Sequence, residues 1–219
     1  MPLHDLFSVS DGKIGVWKIE ESISELLLLT SYREDYNTML KKYGSEKRKL
    51  EKLAIRVLLK LMTGNDKLTI IYDSNGKPYL EDTNNNISIS HTAGYAALFI
   101  NSTNLVGLDI ERRERKIYDL APKFLNDEEL MVIDKNRRND ALLLCWSGKE
   151  SVYKIVGEPA LNFRDTLFVK PFIVSDSGSF FIIFKSGDTE QLFNLEYQLQ
   201  SDYLLTWSKR DRLHLKCTF

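Results

Sequence analysis

The chain has 219 residues, of which 43% are hydrophobic, and its 30 Lys and Arg nearly balance 31 Asp and Glu. That length gives one large domain or two small ones, and the composition is that of an ordinary globular protein with a sizeable core. The longest apolar runs, 26–29, 141–146 and 180–184, fall far short of the roughly 18 residues a membrane span needs, so no membrane partner is expected.

The opening stretch MPLHDLFSV has no basic segment leading into an apolar one, so no secretory signal is expected and the chain reads as cytosolic. Cys145 lies in a helical pattern and Cys217 near the end, which indicates neither a disulfide framework nor a zinc site. KIGVWKI (13–19) reads as a strand, followed by two short helical stretches rich in Leu and Tyr. Leu50, Leu53, Ala54, Val57, Leu58, Leu61 and Met62 then recur at helical spacing, with Ser45 as N-cap and Gly64 as stop. Between Lys41 and Lys60, eight Lys and Arg stand against two Glu. Such a patch suits phosphates or an acidic partner, and it equally suits the solvated face of an amphipathic helix. Short strands are expected near 68–72, 78–80, 87–90 and 95–100, with turns at DSNGK and DTNNN; the polar NSTN (101–104) reads as a hinge.

The second half repeats this order. A strand (105–111) leads to helical segments near 118–137, a long helix from about 140 to 156 stopped by Gly157, and strands near 167–174, 179–184, 191–197 and 203–207. The expected fold class is therefore α+β. Two similar αβ halves, 1–104 and 105–219, would be related by a pseudo-twofold axis, with a ligand cleft between them.

Four constellations carry chemistry. In GLDIE (107–111) the period-two alternation of a strand puts Val106, Leu108 and Ile110 on a core face and sends Asp109 and Glu111 together to the other, toward a solvent-facing cleft. Two carboxylates so close suit a hard cation such as Mg²⁺, or they pair with Arg112 and Arg113 as a solubility device. In CWSGKESVYK (145–154), Trp146, Glu150 and Lys154 share one helix face and Lys149 and Tyr153 an adjacent row; an ordinary helical ion pair is the alternative. Gly148 in mid-helix points to close packing or a ligand. Ser90 and His91 end a strand on opposite faces, which disfavours a Ser-His catalytic pair and leaves phosphate or ribose contact, or a structural histidine. In NGKPYL (75–80) a glycine turn presents Lys77, a point charge for a phosphate or a common turn residue.

Taken in order, Gly76-Lys77-Pro78, Ser90-His91, Gly107-Leu108-Asp109-Ile110-Glu111 and Trp146-Ser147-Gly148-Lys149-Glu150-Ser151-Val152-Tyr153-Lys154 resemble the motifs of the 4'-phosphopantetheinyl transferases of the larger, monomeric, surfactin-synthetase-activating type. The resemblance implies coenzyme A and Mg²⁺ in the cleft, and transfer of phosphopantetheine to a serine of an apo acyl, polyketide or peptidyl carrier protein with release of adenosine 3',5'-bisphosphate. It implies Asp109, Glu111 and Glu150 as metal ligands. Glu150 would be the general base, directly or through a metal-bound water, and Lys154 the pyrophosphate contact. Lys77, Ser90 and His91 would hold the 3'-phosphate end of coenzyme A, helped by Arg48 and Arg56, and Lys149 joins the coenzyme A contacts. Three positions depart from the family pattern: Lys47 competes with Arg48, Leu125 stands at the second Phe of the usual Phe-Phe-x-x-x-Glu with Glu128 and Glu129 as rivals for the acidic position, and Thr92 replaces a serine.

Two other classes compete. A Mg²⁺-dependent phosphohydrolase would use the same carboxylates but has no need for the other motifs at these intervals. A non-catalytic protein binding through its basic helix is permitted by the local charge, but the near-neutral total and the lack of interleaved aromatics around 41–60 argue against nucleic acid as its partner.

Overall fold

Residues 3–30 and 34–211 are described in the computed structural model; Cys217 lies outside the described residues. In chain order the elements are β1 (Leu3–Val9), β2 (Gly12–Lys18), α1 (Ile23–Leu29), α2 (Glu34–Leu40), α3 (Glu46–Thr63), β3 (Ile70–Tyr72), β4 (Pro78–Leu80), β5 (Asn86–Thr92) and β6 (Tyr95–Asn101). Then come β7 (Leu105–Arg112), a 3₁₀ turn (Tyr118–Leu120), α4 (Ala121–Phe124), α5 (Asp127–Met131), α6 (Arg138–Val156), α7 (Phe163–Thr166), β8 (Leu167–Val169), β9 (Ser177–Ser186), β10 (Thr189–Leu199) and β11 (Tyr203–Arg210).

The fold is α+β with one repeated topology. The antiparallel sheets run β1-β2-β6-β5 and β7-β11-β10-β9-β8, with β3-β4 as a separate ribbon. In each half the strand before the long helix pairs with the last strand, which pairs with the one preceding it: β2-β6-β5 and β7-β11-β10. The long helices occupy matching places, α3 on β2 and β6, and α6 on β7 and β11. Three apolar clusters fill the layers. One, with Leu53, Val57 and Leu98, lies under α3; a second, with Ile14, Phe99, Leu108 and Trp207, lies between the sheets; a third, with Leu144, Phe180 and Leu195, lies under α6. The two sheets meet where β5 runs beside β7, and there the Leu108 N–H donates to Ser88 Oγ at 3.0 Å.

Local chemistry explains the helix bounds. Ser45 accepts from the Arg48 N–H and Gly64 closes α3 in the left-handed conformation, a cap contributing about 1 kcal/mol. Gly157 closes α6 in the same way.

The structure differs from the sequence expectations in four places. β1 lies upstream of the first expected strand and forms a hairpin with β2. The NSTN segment is no hinge, because Asn101 is fully buried and its Oδ1 accepts from the backbone N–H of Thr103 and Asn104, which locks the turn. The helical segments expected near 118–137 are present but end at Met131, short of 137, with Leu125 extended between α4 and α5. Finally β8 stops at Val169, two residues before Pro171, a residue that cannot donate to a ladder.

Glycine at 107 is demanded by packing. A Cβ there would lie 1.8 Å from the backbone carbonyl oxygen of Ser151 on α6. Gly148 likewise faces the ring of Phe180, 2.7 Å from where its Cβ would be, so it serves close packing. Gly107→Ala is expected to push β7 away from α6 at a cost of about 1–3 kcal/mol. A thermal melt measures this, and an unchanged Tm would mean that strand and helix separate without strain.

Candidate functional site

Both sequence carboxylates on β7 point toward α6, on the face opposite Val106, Leu108 and Ile110. Contrary to the expectation of a solvent-facing pair, they are buried, Asp109 at 6% and Glu111 at 8% exposure. The reason is α6, which covers this face of β7. Asp109 Oδ1 accepts from Ser90 Oγ at 2.8 Å and from Lys154 Nζ at 3.0 Å, while its Oδ2 is buried without a hydrogen-bond partner among the described residues. Glu111 Oε1 accepts from Trp146 Nε1 at 2.8 Å and pairs with Arg115, whose guanidinium sits over the Trp146 ring.

Glu150 completes the group. It makes no hydrogen bond or ion pair among the described residues, and burial together with the negative charge of Asp109 pushes its carboxyl up to about 7. Burial and Asp109 also raise the Glu111 carboxyl, against the pull of Arg115 and Trp146. Two carboxyls raised beside Asp109, which carries an orphaned buried oxygen, form an oxygen-rich set that fits a hard cation. Lys154 pairs with Asp109 and Arg115 with Glu111, and among the described residues no three acidic, His or Cys side chains are already disposed around a metal position. A metal would therefore replace part of that pairing.

A cavity of about 300 Å³ opens beside this group, between the turn Asp73–Pro78 and β5 on one side and Tyr153, Lys154, Gly157 and Pro159 on the other. It draws its walls from both halves, as the repeated topology leads one to expect. Lys77 enters it, its Nζ donating to the Ile155 carbonyl at 3.3 Å, and burial pulls its ammonium below the usual lysine value. Lys154 spans the cavity and the carboxylates, donating also to the Leu108 carbonyl at 2.7 Å.

Ser90 and His91 do face opposite ways. Ser90 is buried against Asp109, while His91 is partly exposed with its Nδ1 3.4 Å from Glu51 on α3. Desolvation holds the imidazole below its ordinary value despite Glu51. Neither Arg48 nor Arg56 lines the cavity: Arg48 is exposed on the first turn of α3, and Arg56 is buried, its Nη1 donating to the Lys52 carbonyl. Lys47, the rival of Arg48, reaches toward Glu51 at 3.9 Å.

Lys149 is corrected outright. Its side chain is fully buried, with Nζ 2.9 Å from Glu129 and donating to the carbonyls of Phe124 and Phe163 at 2.6 and 3.2 Å. All three ammonium protons are thus committed inside the protein, and Lys149 does not line the cavity although Tyr153 one turn further along its row does, so the residue is not placed as a coenzyme A contact. Glu129 is equally occupied. It closes a capping box with Asn126 and accepts from the Val169 N–H at 2.7 Å, while Glu128 is exposed. Neither acidic rival belongs to the carboxylate group.

Sequence reasoning missed several positioning groups. Ser147 and Ser151, one turn apart on α6, both bond Thr206 Oγ1 of β11 at 2.8 Å. This pins the helix rotation that turns Glu150 and Lys154 toward β7. Their spacing was visible, but their partner is 55 residues or more away in sequence. Arg115 was missed because its link to Glu111 depends on the turn that follows β7.

Residues 105–208 match a family model described as the 4'-phosphopantetheinyl transferase superfamily. The matched segment is just under half of the chain and holds Asp109, Glu111, Glu150 and Lys154. A comparison with curated proteins found no match.

Proposed function

We propose that this protein transfers the 4'-phosphopantetheine group of coenzyme A to a serine hydroxyl of an apo acyl, polyketide or peptidyl carrier protein, yielding the holo carrier and adenosine 3',5'-bisphosphate. The observation that carries the reading is the cavity between the halves, entered by Lys77 and by Lys154, whose ammonium links it to Asp109 in the group with Glu111 and Glu150. Nothing comparable favours the phosphohydrolase alternative.

In this reading the serine oxygen attacks the phosphorus that bears pantetheine, and the bond from that phosphorus to the 5'-phosphate oxygen of the nucleotide breaks. Asp109, Glu111 and Glu150 would hold Mg²⁺, which when bound supplies positive charge to the pyrophosphate. Glu150 takes the serine proton, as the carboxylate of the group without a hydrogen-bond partner among the described residues. Lys154 releases Asp109 in favour of the pyrophosphate and stabilises the departing bisphosphate. Lys77, with Ser90 and His91, serves the 3'-phosphate end, and exposed Arg48 remains available to it, whereas buried Arg56 supports α3. Residues 1–104 thus supply the nucleotide side and 105–219 the carboxylates. Because one chain contains both halves, a monomer of the surfactin-synthetase-activating type, working in the cytosol, fits this arrangement.

The test is intact-protein mass spectrometry of apo carriers incubated with the protein, coenzyme A and Mg²⁺, with a chelator control. The expected result is a gain of one phosphopantetheine that the chelator abolishes. Consumption of coenzyme A without a modified carrier would replace this reading with hydrolysis.

A further inference from the structure

Glu51 of α3 is a buried carboxylate outside the group of Asp109, Glu111 and Glu150, and only 4% of it is exposed. Burying a charge is costly unless a partner compensates it. Among the described residues its ion partners are Lys47, one turn earlier on the same helix at 3.9 Å, and His91 Nδ1 of β5 at 3.4 Å. The Lys47 side chain is 67% exposed, so water screens that pair. His91 is the neighbour through which Glu51 can act.

His91 stands at the edge of the cavity. Ile87, Ser88 and Ile89 of β5 line it, and the alternation of a strand puts His91 in the row of Ile87 and Ile89, about 7 Å beyond the latter at two residues of strand. Lys154, on the opposite wall, is close enough for its charge to act on the imidazole. The ring thus turns its Nδ1 edge to Glu51 and leaves Nε2 on its other edge, on a side chain that is 45% exposed. Unliganded, it is a poor receptor for an anion. Burial, Lys52 of α3 and Lys154 of α6 all disfavour its charged form, and among the described residues Glu51 is the charged group that favours it.

Resting on the transferase reading, we propose that Glu51 is a positioning residue for coenzyme A: through His91 it holds a proton on Nδ1, so that the 3'-phosphate meets the Nε2–H of an imidazolium. The imidazole takes its second proton from solvent as the ligand binds. A phosphate dianion on the Nε2 side and Glu51 on the Nδ1 side then both favour the cation, and Lys154, engaged by the pyrophosphate, opposes it less. Without the Glu51 charge, the phosphate would have to charge a half-buried imidazole unaided. Glu51, buried behind the ring, serves the ligand only through His91.

The experiment is calorimetric titration of coenzyme A and of 3'-dephospho-coenzyme A, with Mg²⁺ present, into the unmodified protein, Glu51→Gln, His91→Gln and the double variant. Each titration is run in two buffers of different ionisation enthalpy at about pH 8, where a free phosphate monoester is already a dianion. Glutamine keeps the shape of Glu51 and removes its charge, and comparing two ligands that differ only at the 3' position cancels proton changes at the carboxylates. The unmodified protein is expected to take up about one proton more with coenzyme A than with the dephospho ligand. Glu51→Gln and His91→Gln should each weaken coenzyme A about tenfold, the scale of a lost charge-assisted hydrogen bond, abolish the extra proton and leave the affinity for 3'-dephospho-coenzyme A unchanged. The double variant should be no worse than either, because the two residues act as one unit. Unaltered affinity and proton uptake in Glu51→Gln, or equal weakening of both ligands, would overturn the positioning role while transfer by the unmodified protein stands. Binding of neither ligand to the unmodified protein would remove the transferase reading, and the role of Glu51 with it.

Discussion

Asp109→Asn is expected to reduce phosphopantetheine transfer about 10²- to 10³-fold, the range seen when one preorganised polar group is removed from a charge-stabilising site, while leaving the protein folded. Asparagine keeps the shape and a carbonyl oxygen to accept from Ser90 Oγ. What it loses is the negative charge that pairs with Lys154 and the anionic Oδ2 that now has no partner. Stability responds in two opposing ways. Lys154 loses its ion partner, but the repulsion of Asp109 on Glu150 and Glu111 disappears as well, so the net change is expected to stay within about 1 kcal/mol. A second readout separates metal binding from chemistry. Mg²⁺ at a hundredfold excess over its dissociation constant stabilises a binding protein by about 2.7 kcal/mol, and the Tm rise this produces in the unmodified protein should be lost in Asp109→Asn. A folded variant with unaltered transfer and an unaltered Mg²⁺ response would remove Asp109 from the site.

How much of this was legible in the sequence depended on the range of the interaction. The α3 and α6 bounds followed from apolar spacing and from Ser45, Gly64 and Gly157, all local signals. The doubling of the topology was legible in element order, although β1, with its half-buried alternation, was not. The shared direction of Asp109 and Glu111 followed from strand geometry; their burial did not, because it depends on α6 covering β7 through Gly107. Nor does spacing along a helix say which members of two neighbouring rows reach a cavity, which Tyr153 and Lys154, one from each row, do. Trp146, Glu150 and Lys154 do share one face, whereas Lys149 was assigned to coenzyme A when its partner Glu129 lies in a short helix that only the folded chain brings near.

Lys149→Met is the sharpest test of that distinction. Methionine approximates the volume of the lysine stem, but it leaves the Glu129 carboxylate, 5% exposed, without its cation, and strips the Phe124 and Phe163 carbonyls of their donor. Removing one member of a buried pair costs about 3–5 kcal/mol, which at about 2–4 °C per kcal/mol for a chain of this size lowers the Tm by about 10 °C. Adding Glu129→Gln removes the stranded charge, so the double variant should recover part of the loss, and the cycle measures the coupling. At a temperature where the single variant is folded, its KM for coenzyme A should match that of the unmodified protein. A raised KM with an unchanged Tm would instead put the ammonium in the cavity. The physical basis is the turn of the helix itself: successive residues point about 100° apart, at 3.6 residues per turn. Lys149 and Glu150, adjacent in one motif, are thereby sent to different surroundings, the first holding α5 and α6 together from within and the second facing Asp109 and Glu111.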